Sequence, residues 1–157
     1  MAKPVKPIPD GYHTATPYMV IKNAAKAIDF YKKAFGAEVI HRMDDPEGKV
    51  RHAQIRIGDS PIMIADEFPG MSCGKSPETL GGSPLHLYLY IDDVDTWFKR
   101  AIAAGAKELM PVQDQSLRGS LGGVTDPFGH VWWLATHKED MTEEELLRRA
   151  SQHPKKV

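Results

Sequence analysis

Histidine is the side chain that most readily holds a metal or moves a proton near neutral pH, and this 157-residue chain has seven. His13, His52, His86, His130 and His137, with Asp66 and Glu67, are the candidate donors, yet no pair stands at a recognisable metal spacing such as H-x-x-x-H. Proton transfer without a metal is a second chemistry, with His86 or Asp66 as base beside Arg56; it depends on geometry. The single cysteine, Cys73, lies in a Gly/Pro-rich stretch without an adjacent histidine, so a nucleophilic role is not expected and an internal disulfide is excluded. There is no G-x-S-x-G, no phosphate-binding glycine loop and no dinucleotide fingerprint; Gly81-Gly82 and Gly122-Gly123 read as backbone bends.

Those side chains must be positioned by a chain of ordinary globular composition, 41% apolar and 26% charged, of a length suited to one core. A net charge of -1 with scattered basic residues gives no reason to expect nucleic acid or membrane as a partner. No leader-like segment and no apolar run long enough to span a bilayer is visible, so the expected location is the cytoplasm.

Hydrophobic period and turn residues predict the elements. Pro4, Pro7 and Pro9 make residues 1–12 an extended arm. Residues 14–21 form a strand, with Pro17 favouring a break. Asn23 is a plausible N-cap for a helix whose apolar side is Ala24, Ala27, Ile28, Tyr31 and Phe35, and Gly36 stops it. Strands at 38–43, 50–57 and 62–65 follow, separated by turns. The order then repeats: a strand at 85–91, a helix capped by Asp92 or Asp93 with Val94, Trp97, Phe98, Ala101 and Ile102 inward, and strands at 107–112, 122–125 and 131–135. The first helix and its exit, Gly36-Ala37, align with the second and Gly105-Ala106, one residue shorter. The expected fold is therefore α+β, a single domain at 13–137 made of two tandem βαβββ modules, 13–67 and 84–137. The stretch 68–83 is either an irregular connector or a flap over a pocket. Residues 138–157 form a tail whose Thr142-to-Glu145 capping box opens a short helix.

Strand alternation sorts the candidate site residues. Thr16 and Tyr18 share a face; so do His52, Gln54 and Arg56, then His86, Tyr88 and Tyr90, then Trp133 with Val131, Ala135 and His137. These faces suit a planar or amphipathic organic ligand, bound by stacking and hydrogen bonds; equally, an antiparallel sheet solvates its outer face with such residues.

Three motifs in order, NAAKAIDFYKKAFG at 23–36, Ile91-Asp92-Asp93-Val94, and Asp126-Pro127-Phe128-Gly129-His130, resemble the vicinal oxygen chelate superfamily of glyoxalase I, bleomycin-resistance and extradiol dioxygenase proteins. Residues 11–69 are most similar to its PhnB-like branch. The resemblance implies a curved, mostly antiparallel sheet forming a half-open cup with helices packed outside, and a homodimer. It also implies four metal-ligand stations, which fall on Thr16, Ile64, His86 and Trp133. Only His86 is a good ligand, so no metal cofactor is expected. Gln115 to Gly123 departs from the branch where it shapes the pocket mouth.

The expected function is metal-free binding or sequestration of a small aromatic or amphipathic ligand by Thr16, Tyr18, His52, Gln54, Arg56, His86, Tyr88, Tyr90 and Trp133. The rivals are a metal-dependent lyase, isomerase or dioxygenase with displaced ligands, and an interaction module with no small-molecule site.

Overall fold

A computed structural model describes residues 4–72, 74–115 and 119–152. Cys73, part of the 115–123 stretch and the ends of both tails lie outside them. The chain divides into two compact units, residues 1–83 with 127–129, and 84–126 with 130–157.

In the first unit β1 (Tyr18–Ile21) starts only after Pro17. It leads into α1 (Ala24–Phe35), then β2 (Glu38–Asp44), β3 (Val50–Ile57) and β4 (Ser60–Asp66). The sheet order is β1-β4-β3-β2; β1 is parallel to β4 and the other pairs are antiparallel. One side of this sheet carries Met19, Ile21, Ala53, Ile55, Ile57, Ile62 and Ile64, all buried, as is the inward side of α1 from Ala24 to Phe35. Each large aliphatic side chain so buried contributes roughly 1.5–3 kcal/mol before entropy is counted.

The start of α1 differs from expectation. Asn23 occupies the N-cap position in the left-handed region (φ 61°), and its side chain caps nothing. The capping carboxylate is Asp66, at the end of β4: it accepts from the Ala24 N–H at 3.1 Å and the Val50 N–H at 2.7 Å. A short helix in the connector, α2 (Pro77–Leu80), was not expected. Ser76 caps it and Pro77 opens it, a pairing that local sequence does encode.

The second unit repeats the plan with β5 (His86–Tyr90), α3 (Val94–Ala104), β6 (Lys107–Gln115), β7 (Gly119–Thr125) and β8 (Val131–His137). The order is β5-β8-β7-β6, again with the first pair parallel. Asp93 caps α3 by accepting from the Thr96 N–H. Val94 and Ala101 are buried and Trp97 and Phe98 half-buried, whereas Ile102, expected inward, is 37% exposed. Trp132 is fully buried, its indole N–H held by Asp126, which also accepts from the His130 N–H. The Asp-Pro-Phe-Gly turn is thus tied to the core.

α4 (Glu143–Gln152) follows, with Thr142 Oγ1 accepting from the Glu145 N–H. The reciprocal half of the capping box is replaced: the Glu145 carboxylate accepts from Arg148 and Arg149 instead. Among the described residues no helix is long and apolar enough to cross a membrane.

Candidate functional site

The register of the first sheet sets which side chains escape its core. Tyr18, Met63 and Gln54 are neighbours across β1, β4 and β3, one residue out of phase with buried Met19, Ile64 and Ala53. They share the face turned away from α1. On it Tyr12 donates its hydroxyl to Gln54 Oε1, and Gln54 Nε2 donates to His52 Nε2 at 3.2 Å. A ring nitrogen that accepts has no proton, so His52 carries its proton on Nδ1. The Tyr18 ring lies 6.0 Å from His52. Tyr12 is a participant that alternation within strands could not reveal, because it comes from the arm. Arg56, expected to orient a ligand, is bonded to Glu38 of the facing strand at 2.8 Å.

Arg51 is the other residue missed. β2 and β3 slip register where Met43 faces His52 but Asp44 faces Val50, so Arg51 is the extra residue of a bulge. The bulge breaks the alternation that sorted the strand, and Arg51 lines a cleft of about 230 Å³ with Tyr18, Ala65, Phe68 and Met71. A larger basin of about 470 Å³ lies at the start of α1, where Lys22, Lys26 and Lys49 mix with Glu47, Asp66 and Glu67. Its carboxylates have structural work. Asp66 holds two backbone N–H groups, and Glu67 accepts from Thr79 at 2.7 Å and Ser76 at 2.9 Å, which keeps its carboxyl below the usual range.

In the second sheet Tyr88 is registered with Trp133, Trp133 with Gly123, and Tyr90 with Ala135. Trp133 lies flat on β7: a Cβ at Gly123 would stand 2.7 Å from its ring. Gly122 is equally closed, with Val112 at 2.8 Å and Phe98 at 3.0 Å from such a Cβ. The glycine pair, read from sequence as a bend, is a strand interior thinned for two aromatic rings. The indole N–H of Trp133 donates to His86 Nδ1 at 3.1 Å. Tyr88 and Tyr90 sit beside each other, ring centroids 5.1 Å apart, and both are exposed.

The repeat also corrects one metal station. Tyr18 faces Met63 as Tyr88 faces Trp133, so the counterpart of Trp133 in the first unit is Met63. Ile64 points into the core with no solvent exposure. By that register the ligand positions that the resemblance implies would fall on Thr16, Met63, His86 and Trp133: a hydroxyl, a thioether, an imidazole and an indole. These do not suit a divalent ion, which needs several preplaced imidazole or carboxylate donors. The one imidazole is further compromised, because its Nδ1 lone pair accepts the Trp133 N–H and its proton therefore sits on Nε2. The fallback donors are dispersed. His137 bonds Asp140 at 2.8 Å, and among the described residues no three His, Cys, Asp or Glu side chains cluster as a metal site would require.

Two βαβββ units, each with a helix on one face of a mixed sheet and aromatic, polar side chains on the other, define a glyoxalase-type fold. The chain belongs to the Glyoxalase/Bleomycin resistance protein/Dioxygenase superfamily, whose family model matches residues 12–134. It is 41% identical to the uncharacterized Mycobacterium bovis protein Mb0911c over 133 residues, covering 83% of this chain and 88% of that one. Among solved structures, TioX from Micromonospora sp. ML1 superposes with a TM-score of 0.61 at 26% identity, over 83% of this chain and all of TioX. The fosfomycin resistance protein FosX from Listeria monocytogenes shares the fold at a TM-score of 0.62 and 20% identity, over 87% and 96% of the two chains.

Proposed function

We propose that the protein binds a small aromatic or amphipathic organic molecule without a metal ion, as a cytoplasmic homodimer that sequesters its ligand. Trp133 carries this reading. It occupies a metal station, rests on a glycine that leaves room for its ring and uses its N–H to hold His86 as an Nε2–H donor. An arrangement so organised offers a flat apolar wall and a hydrogen-bond donor, suited to a ring bearing an oxygen acceptor. Tyr88 and Tyr90 extend the wall. On the first sheet Tyr18, His52 and Gln54, with Thr16 just ahead of β1, offer the same mixture, Gln54 being bonded to both Tyr12 and His52.

FosX has been solved with Mn(II). A metal-dependent enzyme is the rival reading here, but the stations of this chain argue against it. The deciding experiment pairs metal analysis with a ligand screen, on protein purified without chelator or histidine tag. Substoichiometric metal, with hits whose affinity falls in Trp133→Ala, supports binding without metal. Stoichiometric Zn, Ni, Fe or Mn supports the enzyme and overturns this reading.

A further inference from the structure

We propose that the Arg51 cleft of the first unit is a subsite for a small organic anion: the guanidinium takes a carboxylate or similar oxyanion, and the carbon part lies against Tyr18, Phe68 and Met71. This rests on the small-molecule reading above and adds the charge of the ligand and the place where that charge is met.

Arg51 is set apart from the other described arginines. Arg42 is bonded to Asp44, Arg56 to Glu38, and Arg148 and Arg149 to Glu145. Arg100 stands 5.9 Å over the Trp97 ring. Among the described residues the Arg51 side chain has no hydrogen bond or ion pair. Among the described residues it is the one charged side chain lining its cleft, beside Tyr18, Ala65, Phe68 and Met71. Among the described residues no carboxylate lines the cleft, and a second cation is close to its wall: Lys49 Nζ lies 5.5 Å over the Phe68 ring. A guanidinium presents a planar fork that matches two oxygens of a carboxylate, and Arg51 is exposed, so an anion reaches it directly from solvent.

Size narrows the class. At about 230 Å³ the cleft is smaller than the ~300–1,000 Å³ of sites for drug-sized ligands, so it fits a single ring or a short acyl chain. An aryl or acyl monoanion satisfies both the charge and the volume. A neutral ligand of the same shape would fill the walls and leave the guanidinium to water.

The test uses 3-phenylpropionate and its neutral isostere 3-phenylpropionamide as probes, with affinity from calorimetry and location from amide shifts of the labelled full chain. The acid is expected to bind about tenfold or more tighter than the amide, with shifts at Tyr18, Ala65 and Phe68 and an affinity that falls with added salt. Arg51→Gln is expected to bring the acid down to the level of the amide, with amide affinity and thermal midpoint unchanged. Arg51→Lys is expected to restore part of the preference. Equal binding of acid and amide by the unaltered protein overturns the subsite, as does an acid preference that survives Arg51→Gln. If the shifts gather instead at Tyr88 and Trp133, and Trp133→Ala alone abolishes binding, the subsite falls while the broader reading stands.

Discussion

Trp133 donates its indole N–H to His86 Nδ1 across 3.1 Å, and because an indole only donates, the imidazole is fixed with its proton on Nε2. Long-range proton–nitrogen NMR spectra of the neutral protein are expected to show His86 Nε2 protonated and Nδ1 bare. Trp133→Phe keeps a ring and loses the N–H, so His86 should then populate both tautomers. Ligand affinity separates the two roles of the indole. Trp133→Ala, which loses the wall as well, is expected to cost at least about tenfold, or ~1.4 kcal/mol, and Trp133→Phe less. A His86 tautomer indifferent to Trp133→Phe would show that the bond does not set it.

Gly123 makes that arrangement possible. Adding a Cβ there meets the Trp133 ring at 2.7 Å, so the ring must lift off β7. Gly123→Ala is expected to destabilise by about 1–3 kcal/mol, as overpacking does, and to release the His86 tautomer. Gly82→Ala is the control, since nothing lies within 4 Å of its Cβ. Thermal melts with tryptophan emission measure both. A Gly123→Ala protein with the melting point and emission of the unaltered chain would mean that the ring does not rest there.

Asp66 and Thr136 hold equivalent stations at the ends of β4 and β8. Each accepts the first N–H of the helix that lies 42 residues earlier, Ala24 and Val94 respectively. Asp66 does more, also taking the Val50 N–H while itself 6% exposed. Asp66→Ala strands two buried donors and is expected to cost about 2–4 kcal/mol, whereas Thr136→Val strands one and costs about 1–2 kcal/mol. Asp66→Asn keeps one acceptor oxygen and should fall between the unaltered protein and Asp66→Ala. Denaturant midpoints rank them, and an Asp66→Ala loss no larger than that of Thr136→Val would deny the second bond its role.

These particulars mark where local sequence stops being informative. β5 and α1 are legible because alternation and helical period are local: Tyr88 and Tyr90 are exposed on β5, and Ala24, Ala27, Ile28, Tyr31 and Phe35 are all buried on α1. The capping of α1 is not, because the acceptor arrives from the far end of the module; Asn23 satisfies the local rule and is overridden. Residues 119–121 were missed as strand because glycine weakens a strand signal, and only the tertiary approach of Trp133 and Phe98 explains the glycines. Arg51 was hidden by the bulge and Ile64 was misassigned by one register step, where a shift of one residue exchanges the core for the open face. Strand period alone puts Tyr18 and Gln54 on one face and Tyr88 and Trp133 on another, as the registers have them, whereas Thr16 precedes β1 and lies in no strand. Which of their hydrogen-bonding atoms are already spent needed coordinates.

Glu145 ties α4 to itself through acid-sensitive contacts. Hydrogen bonds from Arg148 and then Arg149 bring its carboxyl down from 4.5 to about 2. A carboxylate whose folded value is depressed adds stability that is complete above its unfolded value and disappears as pH falls through the folded one. The contribution to α4 is therefore expected to be constant from neutral pH to about 4.5 and to vanish progressively toward pH 2. The group is solvent-exposed and salt screens it, so the effect should shrink at high ionic strength. Carbon-13 titration of the Glu145 carboxyl, with amide exchange along 143–152, reads both quantities. Glu145→Gln removes this group, so in that variant the pH dependence of exchange in α4 should shrink to the part left by Glu143, Glu144 and the Arg149-bound Glu139, once intrinsic rates are subtracted. A Glu145 midpoint at the ordinary 4.5 would show that the two arginines do not hold the carboxylate in solution.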